Sequence, residues 1–350
     1  MKRAPLLIVA SLFLLRSFSF VIPPLSAQQG DVAKRAAFLE LIDRPAVDPS
    51  PAVRPLQSPS EGLSQEHFSF AVSGDRVTGI LVKQAASSGR RPVVIQLHGT
   101  GGNKEQVMTR LTLLANRGFV GVAIDARYHG ERRGGSAALA TPYTGAIFTA
   151  YKTGTEHPFF YDTVFDVMRL IDYLVTRTDV DAARIGLGGL SKGGIETYLA
   201  AAVDPRIAAA VPERGVQSFK WALDHSAWDS RAWTIRDALE AAAGEAGTPV
   251  NAAFVRKFYD RVAPGIYGEF DAPAMLPLTA PRPLLVLIGD SDPRTPIAGV
   301  RESAAAAERA YKAAGAADRF ELRVLPNTGH ENTPEFERGM LEWFVKWLKP

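Results

Sequence analysis

The sequence predicts an α/β fold, a mostly parallel central sheet with helices on both faces. Three observations carry this. Short apolar, β-branched runs such as "PVVIQLHG" (92–99) and "FVGVAID" (119–125) recur along the chain, as strands buried on both faces require. Segments with helical spacing separate them. The chain has 350 residues, 46% hydrophobic and 22% charged, enough to close a large core without disulfide or metal staples.

The elements follow in order. Residues 1–27 read as a secretory signal peptide: Lys2 and Arg3, an apolar run from Leu6 to Leu15, a Pro-Pro break, and small residues ending at Ala27. Arg16 interrupts the run, which argues against a stable membrane span. Export to the periplasm or the outside is the expectation. Residues 28–66 read as an N-terminal arm and Pro-rich linker, with "RAAFLELI" as a short docking helix and "DRPAVDPSPAVRPLQSPSEG" (43–62) as extended chain. From 67 to 350 one α/β domain is expected. "HFSFAV" and "RVTGILVKQ" flank "SGD" as a hairpin. "NKEQVMTRLTLLANRG" reads as a helix, as does 161–177 with its stripe of Val164, Phe165, Met168, Ile171 and Leu174. Strands are expected at "RIGLGGL", "IAAAVP", "RPLLVLIGD" and "RFELRVLP", with helices after the first, after the third, and at the end. About seventy residues separate "IAAAVP" from "RPLLVLIGD", where a plain crossover needs a dozen or so. The excess, about 215–280, reads as a helical lid carrying Trp221, Trp228 and Trp233.

Composition removes whole classes of chemistry. There is no cysteine, so disulfides, thiolate metal sites and cysteine nucleophiles are out. Beyond residue 27 the chain carries 37 Lys and Arg against 37 Asp and Glu, so it lacks the basic footprint of a nucleic-acid binder. Neither a Walker phosphate loop nor His-Glu-x-x-His occurs. No metal or other cofactor is expected.

The chemical signal is Gly189-Leu190-Ser191-Lys192-Gly193. A predicted strand enters it and a predicted helix leaves it, the context of a nucleophile elbow. Such a turn strains the serine backbone so that its hydroxyl clears the sheet. A serine needs a base, and the chain order for this elbow is Ser, acid, His. Only His225 and His330 follow Ser191. His225 lies in the insertion; His330 lies in a loop after a strand, where open α/β sheets bind ligands. For the acid, Asp292 sits in the loop after "LLVLIGD", with Asp290 and Glu213 as the other candidates. Oxyanion donors are expected from the backbone N–H of Lys192 and, in "LHGTGGNKE", of Thr100. A Ser191–Lys192 dyad is disfavoured, because adjacent side chains diverge on a tight elbow.

"LHGTGGNKE", "AIDARYHGER", "RIGLGGLSKGG", "GDSDPRTP" and "GHENTPEF" resemble stretches of the α/β-hydrolase superfamily, near dienelactone hydrolases, acetyl xylan esterases and prolyl-oligopeptidase-type domains. The resemblance runs from about residue 67 to the end. It implies Ser191 as nucleophile, Asp292 as acid, His330 as base, and Arg127 and His129 in a loop bordering the site. Trp228 is the aromatic expected against substrate. The implied activity is hydrolysis of a small-molecule or acylated-sugar ester. A peptidase or amidase with the same triad, and a catalytically silent binding or scaffold protein on the same fold, are the alternatives.

Overall fold

The computed structural model describes residues 25–45, 47–86, 88–134 and 139–349. The expected export signal therefore falls almost wholly outside the described residues. The described strands form one sheet of nine. They are β1 (Ala52–Leu56), β2 (Leu63–Val72), β3 (Asp75–Gln84), β4 (Arg91–Leu97), β5 (Val120–Ile124), β6 (Val180–Leu190), β7 (Ile207–Glu213), β8 (Leu284–Gly289) and β9 (Phe320–Leu325). Their order is β1-β2-β3-β5-β4-β6-β7-β8-β9. The first three run antiparallel as an edge, and β3 joins β5 antiparallel. From β5 through β9 every pairing is parallel.

The helices are α1 (Leu25–Ile42), α2 (Met108–Asn116), α3 (Pro142–Thr153), α4 (Tyr161–Val175), α5 (Lys192–Val203), α6 (Phe219–Asp224), α7 (Arg236–Glu245), α8 (Ala252–Val262), α9 (Ala272–Met275), α10 (Ile297–Ala313) and α11 (Pro334–Leu348). Helix α4 buries Val164, Phe165, Ile171 and Leu174 of its expected stripe. Strands β4, β5 and β8 are buried almost throughout, because helices cover both faces of a parallel sheet.

One segment differs from expectation. The Pro-rich stretch contributes β1, whose residues pair with β2 from Ala52↔Ser69 to Leu56↔Gln65. Proline is tolerated there because this is an edge strand with one free side. Upstream, the expected helix is longer than "RAAFLELI" and docks: Phe38 is fully buried, edge-on to Tyr161 at 4.9 Å and Phe270 at 5.1 Å. Arg35 donates to the carbonyls of Ala202 (2.9 Å) and Leu278 (2.6 Å).

The insertion between β7 and β8 holds α6 to α9. It is part of the core: Phe254, Val255, Phe258, Tyr259 and Val262 of α8 are buried in the main hydrophobic cluster, and Tyr161 donates to the Pro264 carbonyl at 3.0 Å. No helix among the described residues is long and apolar enough to cross a membrane.

Candidate active site

The elbow is built by close packing of backbone. Ser191 sits between β6 and α5 with φ 56° and ψ −111°, a region costly for any residue with a Cβ. Neighbouring glycines make room. A Cβ on Gly189 would stand 2.3 Å from the Gly193 carbonyl oxygen, and one on Gly193 would stand 2.6 Å from that of Leu97. The Ser191 N–H donates to the Glu213 carbonyl of β7 at 2.9 Å, and the Ser191 carbonyl accepts from Ile195 at 3.1 Å. The strained turn is thus bonded into the sheet on one side and into α5 on the other.

Three loops at the carboxyl ends of β6, β8 and β9 meet at the serine. Its hydroxyl donates to His330 Nε2 at 2.8 Å, and the Nδ1–H of His330 donates to Asp292 Oδ2 at 2.7 Å. Asp292 also accepts from Thr295 Oγ1 at 2.9 Å and from the Arg294 N–H at 2.8 Å. Burial opposes a charge on Asp292, but the His330 N–H, the imidazole, the Arg231 guanidinium and the Arg294 amide outweigh it and hold the carboxyl below its ordinary range. Burial likewise lowers the His330 imidazole; the Asp292 bond pushes back, and Arg231 adds to the lowering. The ring is therefore neutral near pH 7 and free to take a proton. The arrangement can pass the hydroxyl proton to Nε2 while a buried carboxylate holds the tautomer.

The other two acids are otherwise engaged. Glu213 is fully buried and accepts two bonds from Arg110, at 2.5 and 3.0 Å. Asp290 is exposed and braces its own loop through Ser291 and the Thr328 N–H. The Lys192 side chain turns inward to Glu196, one helical turn on, and lies over the Tyr143 ring at 5.6 Å. It does not join Ser191 as a dyad.

Thr100 and Lys192 line one tight cleft with Ser191, together with Phe160, Ile195, Arg231 and Thr234. The loop carrying Thr100 is clasped by two histidines. His98 donates from Nδ1 to the Gly99 carbonyl (2.8 Å) and accepts at Nε2 from the Ala126 N–H (3.1 Å). His129 donates from Nδ1 to the Arg127 carbonyl (2.8 Å) and accepts at Nε2 from the Gly101 N–H (3.2 Å). Burial, then the Lys192 cation, pushes His98 down to about 4 and His129 down to about 2. Both are neutral, and each ties the β4 loop to the β5 loop.

Of the three residues expected at the substrate, the structure engages Arg127 and Trp228 elsewhere. Arg127 does not reach the cleft, because its guanidinium is buried against Asp166 at 3.3 Å, and Asp166 also accepts from Arg132. His129 borders a wider groove of about 370 Å³, as expected of its loop, with both its nitrogens taken by backbone. Trp228 is half-buried in a hollow with Leu239 and Val250, of which Ser191 is not part. The tryptophan that borders the groove beside Thr100 and Thr234 is Trp233, which is 57% exposed with the Arg236 guanidinium 4.9 Å over its ring. Sequence reasoning also missed Arg231, a buried cation from the insertion. No local pattern around Arg231 marks it; only the folded insertion brings it to the cleft. His98, by contrast, was visible in "LHG" beside the glycines it holds.

A family model for acetyl xylan esterase (AXE1) matches residues 39–222. The chain is 26% identical over 290 residues to YtaP of Bacillus subtilis (strain 168), covering 78% of this chain and 84% of that one. Among solved structures, acetyl xylan esterase 1 from Thermoanaerobacterium sp. JW/SL YS485 superposes with TM-score 0.67 at 19% identity, covering 93% of this chain and 98% of that one. Methylesterase BT1017 also gives TM-score 0.67 at 19% identity and 93% coverage, and this chain spans 65% of its length. These structures share the fold.

Proposed function

Because the chain belongs to the acetyl xylan esterase family and is thereby a hydrolase of carboxylic esters, we propose that Ser191, His330 and Asp292 run its acyl-enzyme cycle on esters of small acids with sugar hydroxyls. The observation that carries this is the continuous chain from the Ser191 hydroxyl through His330 to Asp292, 2.8 and 2.7 Å long. Ser191 Oγ attacks the acyl carbon as His330 Nε2 takes its proton. The N–H groups of Thr100 and Lys192 receive the negative oxygen. His330 then protonates the departing alcohol, and water repeats the sequence on the acyl-enzyme.

The acyl group sits beside Ser191 in the tight cleft bounded by Phe160, Ile195 and Thr234, and the alcohol faces the groove of about 370 Å³ past Tyr128 and Trp233. The tightness of that cleft supports short acyl chains, and an exposed ring at the groove supports a sugar face. p-Nitrophenyl acetate, butyrate and octanoate, acetylated xylose, and p-nitroacetanilide are the test set. The expected order is acetate first, octanoate slower by about tenfold or more, and the anilide slowest. Faster octanoate than acetate overturns the acyl assignment, and faster anilide turns the reading to an amidase. An organophosphonate should label the wild type and not Ser191→Ala; equal labelling of both sinks the nucleophile.

Export belongs to the same proposal, supported by the basic, apolar and small-residue order of residues 1–27. N-terminal sequencing of the chain made in a secreting host should begin at Gln28. A chain kept inside the cell with Met1 intact refutes it.

A further inference from the structure

We infer that Arg231, supplied by the insertion, is a positioning residue for the Ser191–His330–Asp292 system: it fixes the acid loop that holds Asp292 against His330. This rests on the triad reading above. Arg231 is 3% exposed and lines the cleft that holds Ser191. Among the described residues it has no carboxylate within ion-pair distance. Its Nη2 instead donates to the Arg214 carbonyl and to Thr295 Oγ1, both at 2.9 Å. Thr295 in turn donates to Asp292 Oδ2 at 2.9 Å, the oxygen that holds His330. A buried guanidinium is thus joined through one hydroxyl to the acid of the triad.

A buried arginine without a salt bridge is costly. Burial pushes Arg231 down to about 10, Asp292 opposes that shift, and the hydroxyls of Tyr259 and Tyr198 and the Arg294 cation also act on it. Around His330 the groups are Asp292, Arg231 and Arg214. Arg214, itself buried, donates to the His330 carbonyl (3.1 Å) and to Asn332 (2.5 Å). A fixed cation near an imidazole disfavours the imidazolium. The same cation favours ionised Asp292. Arg231 therefore supports the pairing of charged acid with neutral base that the reaction starts from. It also makes the triad depend on how the insertion is seated.

The test is the pH profile of kcat/KM on p-nitrophenyl acetate for the full chain with Arg231→Gln, Arg231→Lys and Thr295→Val. Removing the charge raises the basicity of His330, so the acid limb of Arg231→Gln should move up by about half a pH unit or more. Arg231→Lys keeps a cation and should bring the limb back toward wild type. A limb that stays in place in folded Arg231→Gln overturns the inference. If Arg231→Gln does not fold, Thr295→Val decides: it keeps the charge but cuts the link. Its kcat should fall by about threefold or more at unchanged KM; a wild-type kcat overturns the inference. Activity surviving in Ser191→Ala would sink the triad reading itself, whereas an unmoved limb with inactive Ser191→Ala sinks only the role of Arg231.

Discussion

Replacing Asp292 with Asn keeps the shape of the side chain and changes what two atoms can do. Oδ1 accepts the Arg294 N–H at 2.8 Å, and Oδ2 accepts from His330 at 2.7 Å and Thr295 at 2.9 Å. An amide offers one oxygen and one NH2. If the oxygen stays on the Arg294 N–H, the NH2 faces His330. Nδ1 must then accept, and the ring proton moves to Nε2, pointing at Ser191 Oγ. The base is filled before any substrate arrives. If the oxygen turns to His330 instead, the NH2 confronts the Arg294 N–H, two donors at a distance meant for a bond. The first arrangement keeps the loop intact and loses the tautomer, a loss of ~10⁴ in kcat, or about 5 kcal/mol of transition-state stabilisation. The controls separate the three acids. Asp290→Asn lies on an exposed brace and should stay within about 0.5 kcal/mol of wild type in stability, with wild-type kcat. Glu213→Gln strands Arg110 inside the protein and should lower stability by about 3 kcal/mol, with activity per folded molecule retained. Initial rates on p-nitrophenyl acetate, scaled to the folded fraction by circular dichroism, give the comparison. Asp292→Asn keeping more than about a tenth of wild-type kcat, or folded Glu213→Gln matching its loss, would refute the reasoning.

Other outcomes follow from the same geometry. Gly193→Ala places a methyl 2.6 Å from the Leu97 carbonyl oxygen and 2.8 Å from that of His98; urea denaturation should show a loss of about 2 kcal/mol or more, and wild-type stability with full activity would contradict the packing. Since burial holds His330 below the ordinary imidazole value, the acid limb of kcat/KM should reach half its height below about pH 6.5, as the ring gains its proton; a half-height above pH 7 would contradict it. His98 and His129 are pushed down to about 4 and about 2 in the fold, so below about pH 6.5 the unfolded chain takes up protons that the folded chain refuses. Stability is then whole above that pH and drops by about 1.4 kcal/mol per pH unit per histidine on acidification; urea midpoints unchanged between pH 7 and pH 5 would rule this out.

What the sequence carried and what it hid divide along a physical line. The meeting of Ser191 and His330 was legible because an elbow and a strand-end loop are local events, written in a few adjacent residues and in chain order. Asp292 was separable from Asp290 only by two positions of loop, and from Glu213 only by Arg110, which lies 103 residues from Glu213 along the chain. The fate of Arg127 was illegible for the same reason: its partner Asp166 sits on α4, 39 residues on. Proline and serine in 43–62 spoke for extended chain, which β1 is, but pairing with β2 is a tertiary event. The tryptophans of the insertion announced aromatic surface. Which of them borders the groove depended on how α7 packs, and Trp233 took the place expected of Trp228.

The docking of α1 has a practical meaning for anyone choosing where to start a recombinant version. The hairpin at β2 looks like a natural first element, yet trimming to it would pull Phe38 from between Tyr161 and Phe270. It would also leave the Ala202 and Leu278 oxygens without the Arg35 guanidinium. Emptying a phenyl-sized hole alone costs about 3 to 5 kcal/mol, a large share of what holds a domain folded. A clipped chain would then fail every activity screen through collapse of its far side, and its silence would say nothing about Ser191.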